Sequence, residues 1–319
     1  MAGKTVLVTG ANGFVGRALC RGLAQRGLDV RAAVRSAESA ARLGCRSIAV
    51  GDIDAHTDWD VALAGVDAVA HLAGRAHIMQ EDEADPLRAY RSVNVAGSVR
   101  LAERAIRAGV RRIVFLSSIK VNGEETGDRE FTERDAPRPC DAYAISKLEA
   151  EIGLAQVCAS RIELTVLRPP LIYGNGAKGN LLALMRAVDR GWPLPIGAIR
   201  NRRSLLALEN LVSAIAVCLD HPRAAGSTFL VADERPVSTP ELAVRIGVSM
   251  QRDARIWPFP VALLRATGAL LGRSDAVGRL ASSLLVDSRR IREQLQWQPA
   301  QSFEDGIAEM VRGYRAQGA

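Results

Sequence analysis

Residues 9–16 have the sequence TGANGFVG, which follows the apolar run Thr5–Val8 and precedes a helical pattern. Gly10 lets the chain turn sharply out of a strand, Gly13 lets backbone approach a pyrophosphate, and Gly16 lets the helix pack on the strand. The helix N-terminus then offers oriented N–H groups and a partial positive charge to phosphate. Because strand, glycine spacing and helix agree, we predict that a dinucleotide binds at this turn.

The first half of the chain alternates short β-branched runs with longer helical patterns. Predicted strands cover Thr5–Thr9, Val30–Val34, Ser47–Val50, Ala68–Leu72, Arg112–Ser117 and Glu163–Arg168, and predicted helices include Gly13–Gln25, Leu87–Ala108 and Asp141–Cys158. Apolar strands separated by helices are typical of parallel βαβ units whose sheet is covered on both faces. We therefore predict an α/β fold with a Rossmann-type, doubly wound parallel sheet in residues 1–170.

The regular alternation of strands and helices ends after Arg168, where glycine and proline become frequent. A helix at Glu209–Leu219 and a strand at Ser227–Val231 predict that residues 205–233 return to the Rossmann domain. Residues 171–204 and 234–319 are predicted to form a smaller, mostly helical C-terminal substrate lobe. Such a lobe would lie over the carboxyl edge of the sheet, where ligands bind in folds of this class.

The end of the second strand bears on the choice of cofactor. NAD-binding chains usually place an acidic residue there to hold the ribose 2′-hydroxyl. This chain instead has Arg35 and Ser36, which could hold a 2′-phosphate, so the sequence favours NADPH over NADH. A solvated loop arginine would give the same pattern. Asp52, after the third strand, could bond the adenine amino group or serve only as a turn residue.

The segment YAISK, residues 143–147, places Tyr143 and Lys147 four residues apart and hence on one helix face. A phenol with an ordinary pKa near 10 is a poor acid–base catalyst at neutral pH. A neighbouring ammonium favours the phenolate, so we expect Lys147 to lower the pKa of Tyr143. Ser118 follows the fifth strand at the same sheet edge, where its hydroxyl can bond a substrate oxygen. The three residues predict an oxidoreductase with a Ser–Tyr–Lys catalytic set.

With these motifs the chain resembles the extended short-chain dehydrogenase/reductases, the nucleotide-sugar epimerase/dehydratase superfamily, nearly from end to end. The likeness is carried by HLAG (71–74), VNVAG (93–97), SSIKVNG (117–123), YAISK (143–147), RP (168–169), YG (173–174) and LQWQP (295–299). The resemblance implies that Ser118 orients the substrate carbonyl and that Tyr143 exchanges the proton. It also implies that Lys147 binds the nicotinamide ribose.

The turn motif and the resemblance together assign candidate ligand-binding residues. The cofactor set is Gly10, Asn12, Gly13, Phe14, Val15, Gly16, Arg35, Ser36, Asp52, Ile53, Leu72, Ala73, Gly74, Asn94, Tyr143 and Lys147. The resemblance implies a UDP-sugar substrate held by Arg75, His77, Ser118, Lys120, Asn180, Leu181, Trp192 and Arg203. Within that set, Asn180 would contact the nucleotide, and the Arg203 guanidinium suits a diphosphate.

Departures from the superfamily pattern bear on the reaction. Ile119 and Lys120 stand where sugar 4,6-dehydratases carry an Asp-Glu pair, so dehydration is not expected. The missing strand-two acid sets the chain apart from most epimerases. The likeness is greatest to bacterial 4-ketoreductases, which reduce UDP-4-keto-6-deoxy-N-acetylglucosamine to UDP-N-acetylquinovosamine or its C4 epimer for cell-surface polysaccharides. The alternatives are an NAD-dependent UDP-hexose 4-epimerase and a non-catalytic NADPH-sensing protein.

Composition and residue spacing argue against several other classes of function. The net charge is +7, but the basic residues are scattered and only 4% of residues are aromatic, which does not favour nucleic-acid binding. The five cysteines show no CxxC pairing and the four histidines no metal-ligand spacing, so we expect a reducing cytoplasm and no metal.

No leader pattern or membrane span is predicted, and Ile256–Leu271 is expected to be a core or interface helix. The resemblance implies a homodimer joined through Leu87–Ala108 and Asp141–Cys158.

Overall fold

The computed structural model describes residues 3–41, 43, 45–75, 85–127, 129–270 and 274–318, and contains one large parallel sheet. The strands are β1 Thr5–Thr9, β2 Asp29–Val34, β3 Ser47–Ala49, β4 Ala68–His71, β5 Arg112–Leu116, β6 Glu163–Arg168, β7 Leu171–Tyr173, β8 Leu205–Ala207 and β9 Ser227–Leu230. The large sheet has the order β3-β2-β1-β4-β5-β6-β9, with every pairing parallel. The strand order reverses between β1 and β4, and a ligand crevice is expected at the carboxyl ends of these two strands.

Helices cover both faces of this sheet. The α-helices of the described residues are α1 Phe14–Gln25, α2 Ala37–Ala41, α3 Asp60–Leu63, α4 Pro86–Tyr90, α5 Gly97–Arg107, α6 Ala142–Cys158, α7 Gly179–Asp189, α8 Leu208–Cys218, α9 Thr239–Met250, α10 Val261–Leu270, α11 Ser274–Ala281, α12 Arg289–Leu295 and α13 Phe303–Gly318. Side chains alternate across β1, so that Val6 and Val8 pack towards α1 and α8 while Leu7 packs towards α5. The predicted Rossmann-type fold class is confirmed.

The C-terminal lobe has a core of its own. Strands β7 and β8 form a two-stranded parallel sheet, and Tyr173, Leu205 and Ala207 join the apolar cluster of α7, α9 and α13. Within the segment 205–233, α8 and β9 pack with the large sheet, whereas β8 pairs with β7. The lobe is mostly helical, as the sequence predicts, but the small β7–β8 sheet was not expected because each of its strands has only three residues.

The region predicted as one helix, Leu87–Ala108, is interrupted. A π-helical turn at Arg91–Ala96 separates α4 from α5. Such wide turns are frequent at functional sites, and this one carries Asn94, which is 1% exposed. The hydrophobic periodicity does not reveal the extra residue in the turn.

The apolar stretch after Ile256 packs partly on the lobe core. Val261 and Leu264 of α10 contact the core, whereas the side chain of Leu263 is exposed; Leu271 lies outside the described residues. Across the described ranges, no helix combines the length and the apolar character needed to cross a membrane.

Candidate active site

The glycine-rich turn joins β1 to α1 at the switch point of the sheet. Gly10 has φ +65°, and a Cβ atom there would lie 2.9 Å from the backbone nitrogen of Ala73. A Cβ on Gly16 would overlap the Gly10 carbonyl oxygen. The backbone is therefore shaped so that only glycine fits at these positions, and the N-terminus of α1 faces an open crevice. These features fit a dinucleotide pyrophosphate.

A cleft of about 870 Å³ runs from this turn to the ends of β4 and β5. It is lined by most of the predicted cofactor residues: Gly10, Asn12, Gly13, Phe14, Val15, Gly16, Arg35, Asp52, Ile53, Leu72, Ala73, Gly74, Tyr143 and Lys147. Ser118 and Arg75, predicted to contact the substrate, line the same cleft. Residues far apart in sequence thus meet at one sheet edge.

Two predicted cofactor residues lie outside the lining. Ser36 accepts a hydrogen bond from the Ser39 backbone N–H at 3.3 Å, at the start of α2. Asn94 accepts from the Arg75 backbone N–H at 2.7 Å and donates to the Arg75 carbonyl at 3.1 Å and to the Ser146 hydroxyl at 2.9 Å. Asn94 therefore ties the loop after β4 to α6, which is a supporting position.

At the end of β2, Arg35 faces Asp52 across the rim of the cleft. The Arg35 Nε lies 2.8 Å from the Asp52 Oδ1, and both side chains are about 80% exposed. An exposed pair of this kind contributes little to stability. Either side chain can therefore leave the ion pair and bind a ligand with little loss of stability.

A buried histidine that sequence reasoning did not single out for the site supports the cleft. His71 Nδ1 lies 2.7 Å from the Thr9 hydroxyl and its Nε2 2.8 Å from the Ser98 hydroxyl. The Thr9 oxygen also accepts from the backbone N–H groups of Leu72 and Ala73, so its proton points to His71. Burial, and secondarily the charge of Lys147, lowers the pKa of His71 to about 3. The sequence does carry a signal for this contact, since Thr9 and His71 are polar residues that end two adjacent buried strands.

The Ser–Tyr–Lys residues converge at the inner end of the cleft. Ser118 follows β5, and its side chain hydrogen-bonds with that of Tyr143 from α6. Lys147 is 4% exposed. Its Nζ donates to the Leu116 carbonyl at 2.8 Å and lies 4.3 Å from the centre of the Phe115 ring. The Asp141 carboxylate accepts from the Ala144 backbone N–H at 2.7 Å and so fixes the start of α6.

The charge states of this set differ from the sequence expectation. Burial raises the pKa of Tyr143 to about 12, against the lowering effect of the Ser118 hydrogen bond. Burial also lowers the pKa of Lys147 to about 8, and the charge of Glu151 acts against that fall. The expected lowering of the Tyr143 pKa is not seen, because burial is the largest influence on it and the neighbouring Asp141 and Tyr90 raise it further. The Lys147 ammonium bonds the Leu116 carbonyl.

Three of the residues predicted to contact the sugar follow β4 or β5. The Arg75 guanidinium lies 5.5 Å from the centre of the Tyr90 ring, which itself stacks edge-on against Tyr143 at 6.0 Å. The Nζ of Lys120 bonds to Glu124 at 2.8 Å and to Asp141 at 2.5 Å, so its charge is already matched. His77 lies outside the described residues.

The four residues predicted in the second lobe do not line the cleft. Asn180 is exposed at the start of α7, and Leu181 is 2% exposed within the lobe core. Trp192 is 54% exposed, with the Arg190 guanidinium over its ring. Arg203 donates to the carbonyls of Arg279 at 2.9 Å and Ser282 at 3.0 Å.

Comparison with known proteins identifies the family. The model of the NAD dependent epimerase/dehydratase family matches residues 6–232. The chain belongs to this family. It is accordingly an NAD(P)-dependent enzyme, as the sequence predicts, and the third alternative, a non-catalytic sensor, is set aside.

Individual relatives extend the likeness to the whole chain. The chain is 41% identical over 315 residues to a UDP-glucose 4-epimerase of Vibrio cholerae, covering 98% of this chain and 95% of the relative. The structure of MoeE5 in complex with UDP-glucose and NAD is 25% identical with a TM-score of 0.78, covering 99% of this chain and 100% of that one. The UDP-glucose 4-epimerase of Thermotoga maritima, solved with UDP-glucose, has a TM-score of 0.78 at 21% identity and covers 99% of this chain and 100% of that one.

Proposed function

We propose that this member of the family is an NAD-dependent epimerase that inverts C4 of a UDP-hexose. The observation that carries the proposal is the 41% identity, across 98% of the chain, to the Vibrio cholerae UDP-glucose 4-epimerase. The MoeE5 complex with UDP-glucose and NAD supports the same pair of ligands. This moves the preferred reaction from the ketoreduction favoured by the sequence to its alternative, and the preferred cofactor from NADPH to NAD.

In this proposal the glycine turn and the cleft residues hold NAD, and bound NAD supplies a reversible hydride acceptor. Ser118 donates a hydrogen bond to the oxygen on C4 of the sugar. Tyr143 takes the hydroxyl proton as C4 loses a hydride, and the C4–O bond becomes a carbonyl. Tyr143 would give the proton back when the 4-keto sugar, turned over in the cleft, is reduced on the opposite face of C4. The sugar undergoes no net oxidation, and only the configuration at C4 changes.

The protonation state of Tyr143 suits the second half of the reaction, in which the carbonyl oxygen on C4 receives a proton. With its pKa raised to about 12, Tyr143 is a neutral phenol that can protonate a carbonyl oxygen. The first half needs the phenolate, and Lys147 is the cation that follows it by one helical turn. A pKa of about 8 leaves Lys147 mostly protonated at neutral pH, so it can favour the phenolate when the proton leaves.

A specific observation keeps the 4-ketoreductase as a second candidate. The end of β2 carries Arg35 instead of an acid, and its exposed pairing with Asp52 leaves it able to reach a 2′-phosphate. A cofactor that exchanges at each turnover suits net reduction of UDP-4-keto-6-deoxy-N-acetylglucosamine. NADPH would then be the reductant.

One pair of incubations separates the candidates. Purified protein is given UDP-glucose without added cofactor, and separately UDP-4-keto-6-deoxy-N-acetylglucosamine with NADPH or NADH. We expect UDP-galactose in the first incubation and no consumption of reduced cofactor in the second. Stoichiometric oxidation of NADPH in the second, with no C4 inversion in the first, would replace the epimerase by the reductase.

The cellular setting and the assembly belong to the same proposal. We place the activity in the cytoplasm, because the five cysteines are free thiols as in a reducing compartment. We propose a homodimer through α5 and α6, where a groove lies between Val95, Val99 and the half-exposed Ile152. Sedimentation of the wild type and of Ile152→Glu tests this contact, and a monomeric wild type would contradict it.

A further inference from the structure

A buried ion pair lies directly behind the catalytic set. Glu151 of α6 and Arg168 at the end of β6 are each 8% exposed. The Arg168 guanidinium donates from Nε to one carboxylate oxygen at 2.9 Å and from Nη2 to the other at 2.5 Å. Two charges are taken out of water here, which is costly unless the geometry is good and further hydrogen bonds satisfy the pair.

Those further hydrogen bonds go to the two residues that flank the Ser118 turn. The Ser117 hydroxyl donates to the Glu151 carboxylate. The Arg168 Nη1 donates to the Asn122 side-chain oxygen at 2.9 Å. Since Ser118 lies between Ser117 and Asn122, the ion pair holds both ends of the turn that carries it.

The same carboxylate acts on Lys147, which precedes it by one turn of α6. Glu151 is the charge that opposes the burial of the Lys147 ammonium. The other groups around Lys147 are Tyr143 on α6, neutral His71 on β4 and the Leu116 carbonyl of β5. Arg168 on β6 lies behind Glu151 and attenuates its charge.

We propose that the Glu151–Arg168 pair is a positioning unit of the active site, which fixes the Ser118 turn and supplies the negative charge that keeps Lys147 an ammonium. The inference rests on the proposed roles of Ser118 and Lys147. It adds a function for two residues that touch neither sugar nor cofactor. Glu151 sets the charge of Lys147, and Arg168 limits how strongly it does so.

The sequence makes a direct test practical, because it contains only four lysines: Lys4, Lys120, Lys147 and Lys178. Protein labelled with ¹³C at the lysine ε-carbon gives four signals, each assigned by a Lys→Arg variant. Titration then reports the midpoint of Lys147 without any sugar substrate. We expect Glu151→Gln to lower this midpoint by about one pH unit or more and Arg168→Gln to raise it.

A pair with only a structural role would not shift the Lys147 midpoint in opposite directions in the two variants. Glu149→Gln on the same helix, where the half-buried carboxylate pairs with Arg91, is the matched control and should leave the midpoint unchanged. If Glu151→Gln does not fold, Glu151→Gln combined with Arg168→Gln removes both charges, and its midpoint should still fall. Unchanged midpoints, or shifts of the same sign in the two single variants, would overturn the proposal. Because the signal needs no turnover, an inactive wild type would refute the epimerase while leaving this titration readable.

Where the wild type turns over, the rate gives a second readout. Glu151→Gln should lower kcat at least tenfold with little change in KM, and the alkaline limb of the kcat profile should follow the Lys147 midpoint. A profile whose limb does not move with that midpoint would overturn the assigned role.

Discussion

The Rossmann half and the C-terminal lobe use their polar side chains in different ways. In the Rossmann half, polar residues at the ends of β1, β4 and β5 converge on one cleft. In the lobe, the predicted ligand residues face solvent or are engaged by the lobe itself, as Arg203 is by two backbone carbonyls. Changes in the first region should therefore alter the rate of chemistry. Changes in the second should alter stability or substrate affinity.

The largest effect is expected at Tyr143, which we propose as the proton carrier. Tyr143→Phe removes only the hydroxyl, so the fold and NAD binding should persist while kcat falls by about 10²–10⁴-fold. The matched control is Tyr314→Phe in the lobe, where the hydroxyl donates to Asp189 and no loss of kcat is expected. A fully active Tyr143→Phe protein would show that the proton moves through another group.

The same substitution, glycine to alanine, should have opposite effects in the two regions. A Cβ at Gly16 would overlap the Gly10 carbonyl oxygen, so Gly16→Ala should weaken NAD binding and lower the free energy of unfolding by up to about 3 kcal/mol. Gly278 on α11 has open space around it, so Gly278→Ala should raise the free energy of unfolding by about 0.5–1 kcal/mol. Urea unfolding and NAD titration measure both, and unimpaired NAD binding by Gly16→Ala would contradict the proposed phosphate site.

Acid should destabilise the Rossmann half through His71. Its pKa is lowered to about 3 in the fold from an ordinary value of 6.5, so the unfolded chain binds the additional proton as pH falls below 6.5. The free energy of unfolding should therefore fall by about 2 kcal/mol between neutral pH and pH 5 from this group alone. His71→Asn should reduce that slope, whereas the exposed His56→Asn should not. Equal slopes in all three proteins, measured by urea unfolding, would remove His71 as the cause.

Two lobe variants separate stability from affinity. Arg203→Met loses two hydrogen bonds to backbone and should lower the free energy of unfolding by about 1–3 kcal/mol, whether or not Arg203 also binds diphosphate. Asn180→Ala changes an exposed side chain and should alter stability by less than about 0.5 kcal/mol while raising KM. An unchanged KM in both variants would show that the nucleotide lies elsewhere.

The smallest effect is expected at Arg35. Its ion pair with Asp52 is about 80% exposed on both sides, so Arg35→Ala should change stability and NAD affinity very little. Affinity for NADPH should fall more, because the guanidinium is the group suited to a 2′-phosphate. Equal losses for both cofactors, in a fluorescence titration, would place Arg35 at the shared part of the dinucleotide.

The sequence predicts the Rossmann half well because its signals are local. The turn at residues 9–16, the apolar strands and the 143–147 spacing each follow from backbone geometry or helix periodicity, and the confirmed strands β1 and β6 have their predicted bounds. The short strands β7 and β8 escape such reasoning because they depend on pairing with each other across about 30 residues of chain, and the π-turn at Arg91–Ala96 escapes it because its extra residue leaves no mark on the periodicity.

The charges within the site were less predictable than the positions. The motif brings Tyr143 and Lys147 together, but the pKa of each depends on how much water the surrounding fold removes. The Glu151–Arg168 pair likewise joins residues from a helix and a strand that the sequence separates by 17 positions. Such partners are set by packing, and a single sequence does not reveal them.

C4 epimerisation can be tested by following the hydride itself. UDP-glucose carrying deuterium at C4 is incubated with purified protein and an excess of unlabelled NAD, and the product is examined by NMR. If the protein is the proposed epimerase, the product is UDP-galactose that retains the deuterium at C4, because the hydride leaves and returns within one active site. Absence of C4 inversion, or loss of the deuterium to the free cofactor, would contradict it.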